Sequence, residues 1–185
     1  MRWRLPRGVE SAAFLDFDPP PLSPGSSARP REVNVIAKDY LFIPADLAFA
    51  PGETVLVHVI NGGLEPHEAV IGNSAVQAAW EAAEAPTATH PPGPTAVIQV
   101  PAGVAGLRLF VASGQRVDVL WTVPPNAAST PGGWLLGCHI PGHFARGMVA
   151  AIRFVGPGGQ PLPPGLSASP AAPSTSRAIR AVAAP

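Results

Sequence analysis

The amino-acid sequence predicts an all-β protein built as a β-sandwich with one short helical insertion. Short runs rich in β-branched and aromatic residues occupy the middle of the chain, and glycine or proline turns separate them, as at residues 51–52, 61–63 and 113–114. The runs span residues 33–37, 47–50, 54–61, 68–72, 95–100, 107–111, 116–123, 134–138 and 148–155. Short strands at this spacing are typical of an antiparallel sandwich.

Side-chain alternation supports the strand assignment. Within residues 116–123, Val117, Val119 and Trp121 alternate with polar side chains, which is the period of a strand with one buried face. We therefore expect Trp121, like Trp80 and Trp134, to pack in the core.

One segment has a helical rather than a β pattern. Residues 75–85 are rich in Ala, Gln and Glu, and Asn73 or Ser74 is suited to cap the start. We predict a helix inserted between two strands, with Glu81 and Glu84 on a solvated face rather than acting as an acid-base pair.

Composition divides the chain of 185 residues into one folded domain and two tails. Its 19 glycines and 25 prolines are frequent toward both ends, where residues 19–31 and 156–185 carry few large apolar side chains. We expect a flexible N-terminal segment over 1–31, a folded domain over 32–155 and a low-complexity, disordered tail over 156–185.

Charge and hydropathy argue against a nucleic-acid partner and against a transmembrane helix. Lys plus Arg equal Asp plus Glu at 12 each, so no basic surface for nucleic acid is expected. No apolar run approaches the roughly 18 to 20 residues of a transmembrane helix. Pro6, Arg7 and Glu10 interrupt any apolar core of an export signal, which leaves open a missing signal, an upstream start or a cytoplasmic protein.

The segment 138–148 carries the strongest chemical signal. Cys138, His143 and Met148 follow one another at intervals of five residues. A strand ending at Cys138, a tight turn at residues 141–142 and a strand beginning at Met148 would let the three side chains converge. Cys138 is the single cysteine, so it cannot form an internal disulfide.

These residue types favour copper. Thiolate and thioether ligands are soft, and a site of two His and one Cys with a weak axial Met is the blue-copper arrangement. His67 can supply the second imidazole, because it follows the turn at 61–63 and precedes a predicted strand. Zinc also accepts two His and one Cys.

Together, residues 61–72 and 138–148 resemble the ligand segments of the cupredoxins, the plastocyanin and azurin group of blue-copper proteins. The resemblance covers about residues 33–155. It implies a Greek-key sandwich that holds one type 1 copper ion at one end through His67, Cys138, His143 and Met148. It also implies electron transfer rather than catalysis, a periplasmic or extracellular location, and redox partner proteins that dock near His143.

Two further expectations accompany the resemblance. Many family members have Asn directly after the first histidine, whereas this chain has Glu68, so the hydrogen bonds around the ligands must differ. Because few charges are available, we expect a monomer whose docking through an apolar rim around His143 depends only weakly on salt.

The remaining histidines bear on two alternative functions. The pair Cys138 and His139 occurs in multicopper oxidases, where the histidine binds a second copper centre, so a subunit or fragment of such an oxidase or of a copper nitrite reductase is one alternative. A trinuclear centre of that family takes about eight imidazoles, and the chain has five histidines. We expect a structural or solvent-facing His139, a packed or edge-exposed His58 and a solvated His90. A copper-handling or delivery protein is the other alternative.

Overall fold

The computed structural model describes residues 22–89, 98–156 and 158–163, and its strands form two sheets. One sheet has the order β2-β1-β4-β7 and the other β3-β9-β8-β5-β6. The strands are β1 (Arg31–Lys38), β2 (Leu41–Ile43), β3 (Asp46–Phe49), β4 (Thr54–Asn61), β5 (His67–Asn73), β6 (Leu107–Val111), β7 (Arg116–Thr122), β8 (Trp134–Gly137) and β9 (Val149–Phe154). Helix α1 (Ser74–Glu84) follows β5 directly.

The predicted β-sandwich is confirmed, but its strands are not all antiparallel. β1 pairs in parallel with β4, and β3 pairs in parallel with β9. The other pairs are antiparallel. Each sheet therefore contains both parallel and antiparallel pairs. The parallel pairs arise because the chain crosses from the first sheet to the second after β2. Alternation along a strand shows which face is buried and carries no information about such a crossing.

The core lies between the two sheets and follows the expected alternation. Val33 and Val35 of β1 and Val57 of β4 point inward with less than a tenth of their surface exposed, and Ile71 and Leu136 meet them from the second sheet. Trp80 and Trp134 are buried and Trp121 packs against the core, as predicted. Burial of these apolar side chains is the main source of the stability of the sandwich.

Helix α1 lies where the sequence predicts it, with one correction to its surface. The Asn73 side chain caps the start by accepting a hydrogen bond from the Val76 backbone N–H at 3.0 Å. Glu81 is exposed as predicted, but Glu84 is fully buried. The prediction of a solvated Glu84 is wrong because that end of the helix packs close to β6, where Arg108 faces it.

Two strand predictions differ from the structure. β2 was not predicted, since it has only three residues. The predicted strand over 95–100 is only partly described. Residues 98–100 form no strand, and residues 95–97 lie outside the described residues.

Residues near both predicted tails contact the sandwich where they are described. The Gly25 carbonyl accepts a bond from the Thr54 N–H at 3.0 Å, and the Leu162 N–H donates to the Phe154 carbonyl at 2.8 Å. Residues 1–21 and 164–185, and with them most of the predicted tails, lie outside the described residues, as does His90. The domain boundaries at 31 and 156 stay a prediction. Within the described residues, no helix is long and apolar enough to span a bilayer.

Candidate metal centre

Three of the four predicted ligand residues bring their donor atoms together at one end of the sandwich. His67 begins β5, Cys138 directly follows β8, and His143 lies in the loop between β8 and β9. Their ligand atoms all lie within 4.8 Å of one another, and among the described residues they form the one His, Cys, Asp or Glu group with metal-binding spacing. The His143 Nδ1 atom lies 3.3 Å from His67 Nδ1 and 3.4 Å from Cys138 Sγ. Two imidazoles and a thiol at this spacing fit a soft transition-metal ion.

Strand pairing and a closed loop create this convergence. β5 and β8 are antiparallel neighbours, and the Glu68 backbone N–H donates to Cys138 Sγ at 3.3 Å. Gly142, with φ of +88°, allows the tight turn before His143. The three side chains therefore meet because the neighbouring strands and the loop are held by backbone hydrogen bonds.

Met148 lies at the base of the same loop. Its N–H donates to the His143 carbonyl at 3.1 Å, and its carbonyl accepts from the Cys138 N–H at 3.2 Å. The side chain is fully buried in the main core cluster. The backbone thus holds Met148 beside two of the candidate ligands.

Both candidate imidazoles are oriented by carboxylates. Asp39 Oδ1 lies 2.9 Å from His67 Nε2, and Glu65 Oε2 lies 2.9 Å from His143 Nε2. An ionised carboxylate only accepts hydrogen bonds, so it favours the tautomer with the proton on Nε2 and a free lone pair on Nδ1. A Cβ atom at Gly63 would lie 2.9 Å from His67 Nε2, so glycine is needed there to leave room for this pair.

Burial sets the charge of the donor atoms. It raises the pKa of the Cys138 thiol to about 12. Desolvation, with the nearby His67 as a smaller cause, lowers the pKa of His143. Below the thiol pKa the metal must therefore displace the thiol proton, and binding releases it.

Tyr40 covers the candidate centre on the His143 side. Its ring meets the His143 ring edge-on at 5.0 Å between centroids, its hydroxyl donates to Glu65 at 3.0 Å, and the Arg146 guanidinium lies 4.3 Å from its centroid. Tyr40 adopts a positive φ of 128°, a strained conformation that often marks a functional site. His143 is only 4% exposed, and its rim is more polar than the sequence predicts.

Asn61 and Glu68 fix the chain on the two sides of His67. The Asn61 side chain donates to the carbonyls of Glu65 and Val111 at 2.8 and 2.9 Å and accepts from the Gly63 N–H. It therefore fixes the loop before His67. Glu68 is fully buried and forms an ion pair with Arg108.

The sequence did not predict Asn61, Asp39 and Glu65 as site residues, although Asn61 belongs to a predicted turn.

The other described histidines take structural positions. His139 is 2% exposed and bonds to Gln77 and Glu81 of α1. Its side chain is therefore structural and not solvent-facing. His58 is packed, with Nδ1 2.7 Å from Asp118 Oδ1, as one of the two predictions for it stated.

The fold is that of the cupredoxins. An auracyanin from Roseiflexus castenholzii, with 19% identity and a TM-score of 0.52, covers 71% of this chain and 100% of its own. Auracyanin A from Chloroflexus aurantiacus, described as a blue copper protein, has 20% identity and a TM-score of 0.51 over 68% of this chain and 98% of its own. An azurin from Methylomonas sp. strain J has 17% identity and a TM-score of 0.52 over 68% and 98%.

A curated relative shows the family. The copper-resistant cuproprotein CopI of Rubrivivax gelatinosus is 32% identical over 142 residues, which cover 74% of each chain. No family model matches the chain. The chain therefore belongs to the cupredoxin family, in the group that contains CopI.

Proposed function

We propose that the protein is a single-copper electron carrier and not an enzyme. His67, Cys138 and His143 would hold the ion, with Met148 as the weak axial ligand. The observation that carries the proposal is the meeting of two imidazole Nδ1 atoms and one thiol at a buried point. When bound, copper supplies a reversible one-electron couple, Cu(II) and Cu(I).

The surrounding residues suit this function. Asp39 and Glu65 hold both imidazoles with Nδ1 toward the thiol, and such outer carboxylates also raise ligand basicity. The donor residues are nearly inaccessible to solvent, so water is excluded. The backbone hydrogen bonds that close the ligand loop would restrict movement of the donor atoms between oxidation states, which would lower the cost of electron transfer.

An absorption spectrum combined with metal analysis tests the proposal. We expect one copper per chain and an intense visible band from copper–thiolate charge transfer, which disappears on reduction and returns on oxidation. Protein prepared with both copper and zinc present should retain copper, since Cu(II) binds more tightly than Zn(II) at comparable sites. Colourless protein that holds zinc under these conditions would refute the proposal.

Met148→Leu should keep copper but raise the reduction potential. Leucine has no donor atom, so Cu(II) loses its weak fourth ligand, whereas Cu(I), which is stable with three ligands, loses less. A tenfold fall in the ratio of Cu(II) to Cu(I) affinity corresponds to about 59 mV, and we expect a rise of this order by redox titration. An unchanged potential would show that the thioether does not act on the metal.

We further propose that the protein works outside the cytoplasm, in the periplasm or extracellularly, as a monomer. Redox partners would dock on the rim formed by Tyr40, Leu64, Glu65 and Arg146 around His143. Leu64 is 88% exposed, and its backbone N–H donates to Asp39, so a large apolar side chain stands beside the candidate centre. The opposite charges of Glu65 and Arg146 favour docking that depends weakly on salt.

Copper handling is a second candidate function. The relative CopI is described as copper-resistant, and the His143 ring, which is 4% exposed behind Tyr40, is poorly accessible to a redox partner. Rapid transfer of copper to an acceptor, without reversible bleaching of the visible band, would favour this candidate. Stable binding with reversible reduction would favour the electron carrier.

A further inference from the structure

Helix α1 buries polar side chains that a surface helix ordinarily keeps in water. Gln77 is 5% exposed and Glu84 is fully buried. Gln77 and Glu81 lie four residues apart and therefore share one face. Burying an amide or a carboxylate costs free energy unless it finds hydrogen-bond partners, so these partners show what the helix holds.

The first partner is His139. Gln77 Oε1 lies 2.7 Å from His139 Nε2, and Glu81 Oε2 lies 2.8 Å from His139 Nδ1. The Gln77 amide nitrogen has three carbonyl oxygens of β5 and β8 within 3.2 Å as acceptors for its two hydrogens. This directs the amide oxygen toward the imidazole. A Cβ at Gly137 would lie 2.6 Å from that oxygen, so the end of β8 packs directly against the helix.

His139 connects α1 to the ligand loop. It directly follows Cys138 in the chain, and its ring stacks on Phe144 with 5.0 Å between centroids and 17° between planes. Phe144 in turn directly follows His143. Fixing His139 therefore restrains the residues next to two candidate ligands.

The second partner is Arg108, which leads to the first ligand strand. Glu84 Oε1 lies 3.3 Å from Arg108 Nη2, and Arg108 Nε donates to Glu68 Oε1 at 2.9 Å. Glu68 directly follows His67, and its backbone N–H donates to Cys138 Sγ at 3.3 Å. Gln77 on the buried helix face thus contacts His139, which follows Cys138. Glu84, at the other end of that face, reaches Glu68 through Arg108, and Glu68 follows His67.

We propose that α1 is a positioning element of the metal centre, which fixes both ligand strands through His139 and through Arg108 and Glu68. The proposal rests on the copper function proposed above. It gives the inserted helix a specific role, because its inward polar side chains restrain the spacing of the donor atoms. The helix residues do not belong to the candidate ligand group of His67, Cys138 and His143.

Thiol labelling of the full-length, metal-free protein tests this role without copper. Gln77→Leu removes one of the two acceptors of His139. His139→Phe removes both hydrogen bonds while retaining an aromatic ring against Phe144. We expect alkylation of the buried Cys138 to become at least about tenfold faster in each variant, since the loss of a buried hydrogen bond makes local opening around the thiol about this much more frequent. The double variant should be little faster than either single one, because the two side chains act as a unit.

Ala82→Gly is the matched control. It weakens the same helix at an exposed position and leaves the buried contacts in place. In copper-loaded protein, Gln77→Leu and His139→Phe should lose copper to a chelator about 10- to 100-fold faster and shift the charge-transfer band, whereas Ala82→Gly should do neither.

The outcomes separate the two proposals. Labelling rates and spectra of both variants equal to those of Ala82→Gly would overturn the positioning role. If Gln77→Leu does not fold, the His139→Phe comparison alone decides. Faster labelling in the variants of a protein that takes up no copper would support the restraint by α1 and refute the copper function.

Discussion

A Cys138→Ser variant is expected to lose the intense visible absorption of the copper-loaded protein completely. The band requires a thiolate donor, and a serine hydroxyl is a harder ligand that stays protonated near neutral pH. Loss of a direct ligand should also weaken copper binding by more than the 10- to 100-fold typical of outer partners. Spectra recorded during titration with copper, together with competition against a chelator, measure both effects.

His58→Gln is the control for this variant. It removes another buried histidine, one that bonds to Asp118 and lies outside the candidate centre. We expect it to retain the full band and one copper per chain. Retention of the band in Cys138→Ser would instead show that the sulfur at this position is not a ligand.

The spacing of the candidate ligands could be predicted because it is local. Cys138 and His143 belong to one loop, and the turn at residues 141–142 brings them together whatever the rest of the fold does. His67 could be added because it starts a predicted strand, and β5 does pair with β8. Asp39 could not be added, since it reaches His67 from the turn between β1 and β2 and β2 is too short to be recognised.

Other features depend on contacts that a local pattern does not encode. The parallel pairing of β1 with β4 joins strands separated by β2 and β3. Glu84 has an exposed neighbour, Glu81, three residues earlier, so composition favours a solvated face for both. Only the packing of α1 beside β6 places Glu84 against Arg108.

The buried Glu84 makes stability depend on pH. Glu84 and Glu68 are both fully buried and both bond to Arg108, which also stacks over the Trp80 ring. Desolvation, followed by the negative charge of Glu68, raises the pKa of Glu84 to about 8 from an ordinary value of 4.5. Between these two values the folded protein keeps a proton that the unfolded chain has released.

Stability should therefore fall as pH rises from about 4.5 to 8, because the native state binds more protons than the unfolded state over this window. At about 1.4 kcal/mol per pKa unit, and with the carboxyl half ionised at each end of the window, we expect Glu84 to contribute a loss of roughly 4 kcal/mol. Glu84→Gln, which is neutral at every pH, should be more stable than wild type at pH 8 and remove most of this slope. Denaturant unfolding of the metal-free protein across the window measures the difference.

The exposed acid Glu32, near the start of β1, gives the matched control. Glu32→Gln removes one exposed carboxyl group from the sheet that does not contain Arg108, so it should follow the pH profile of the wild type. Subtracting each variant from the wild type isolates the contribution of Glu84 from those of the other ionisable groups. Equal slopes for Glu84→Gln and the wild type would mean that Glu84 ionises in the folded protein as readily as in water.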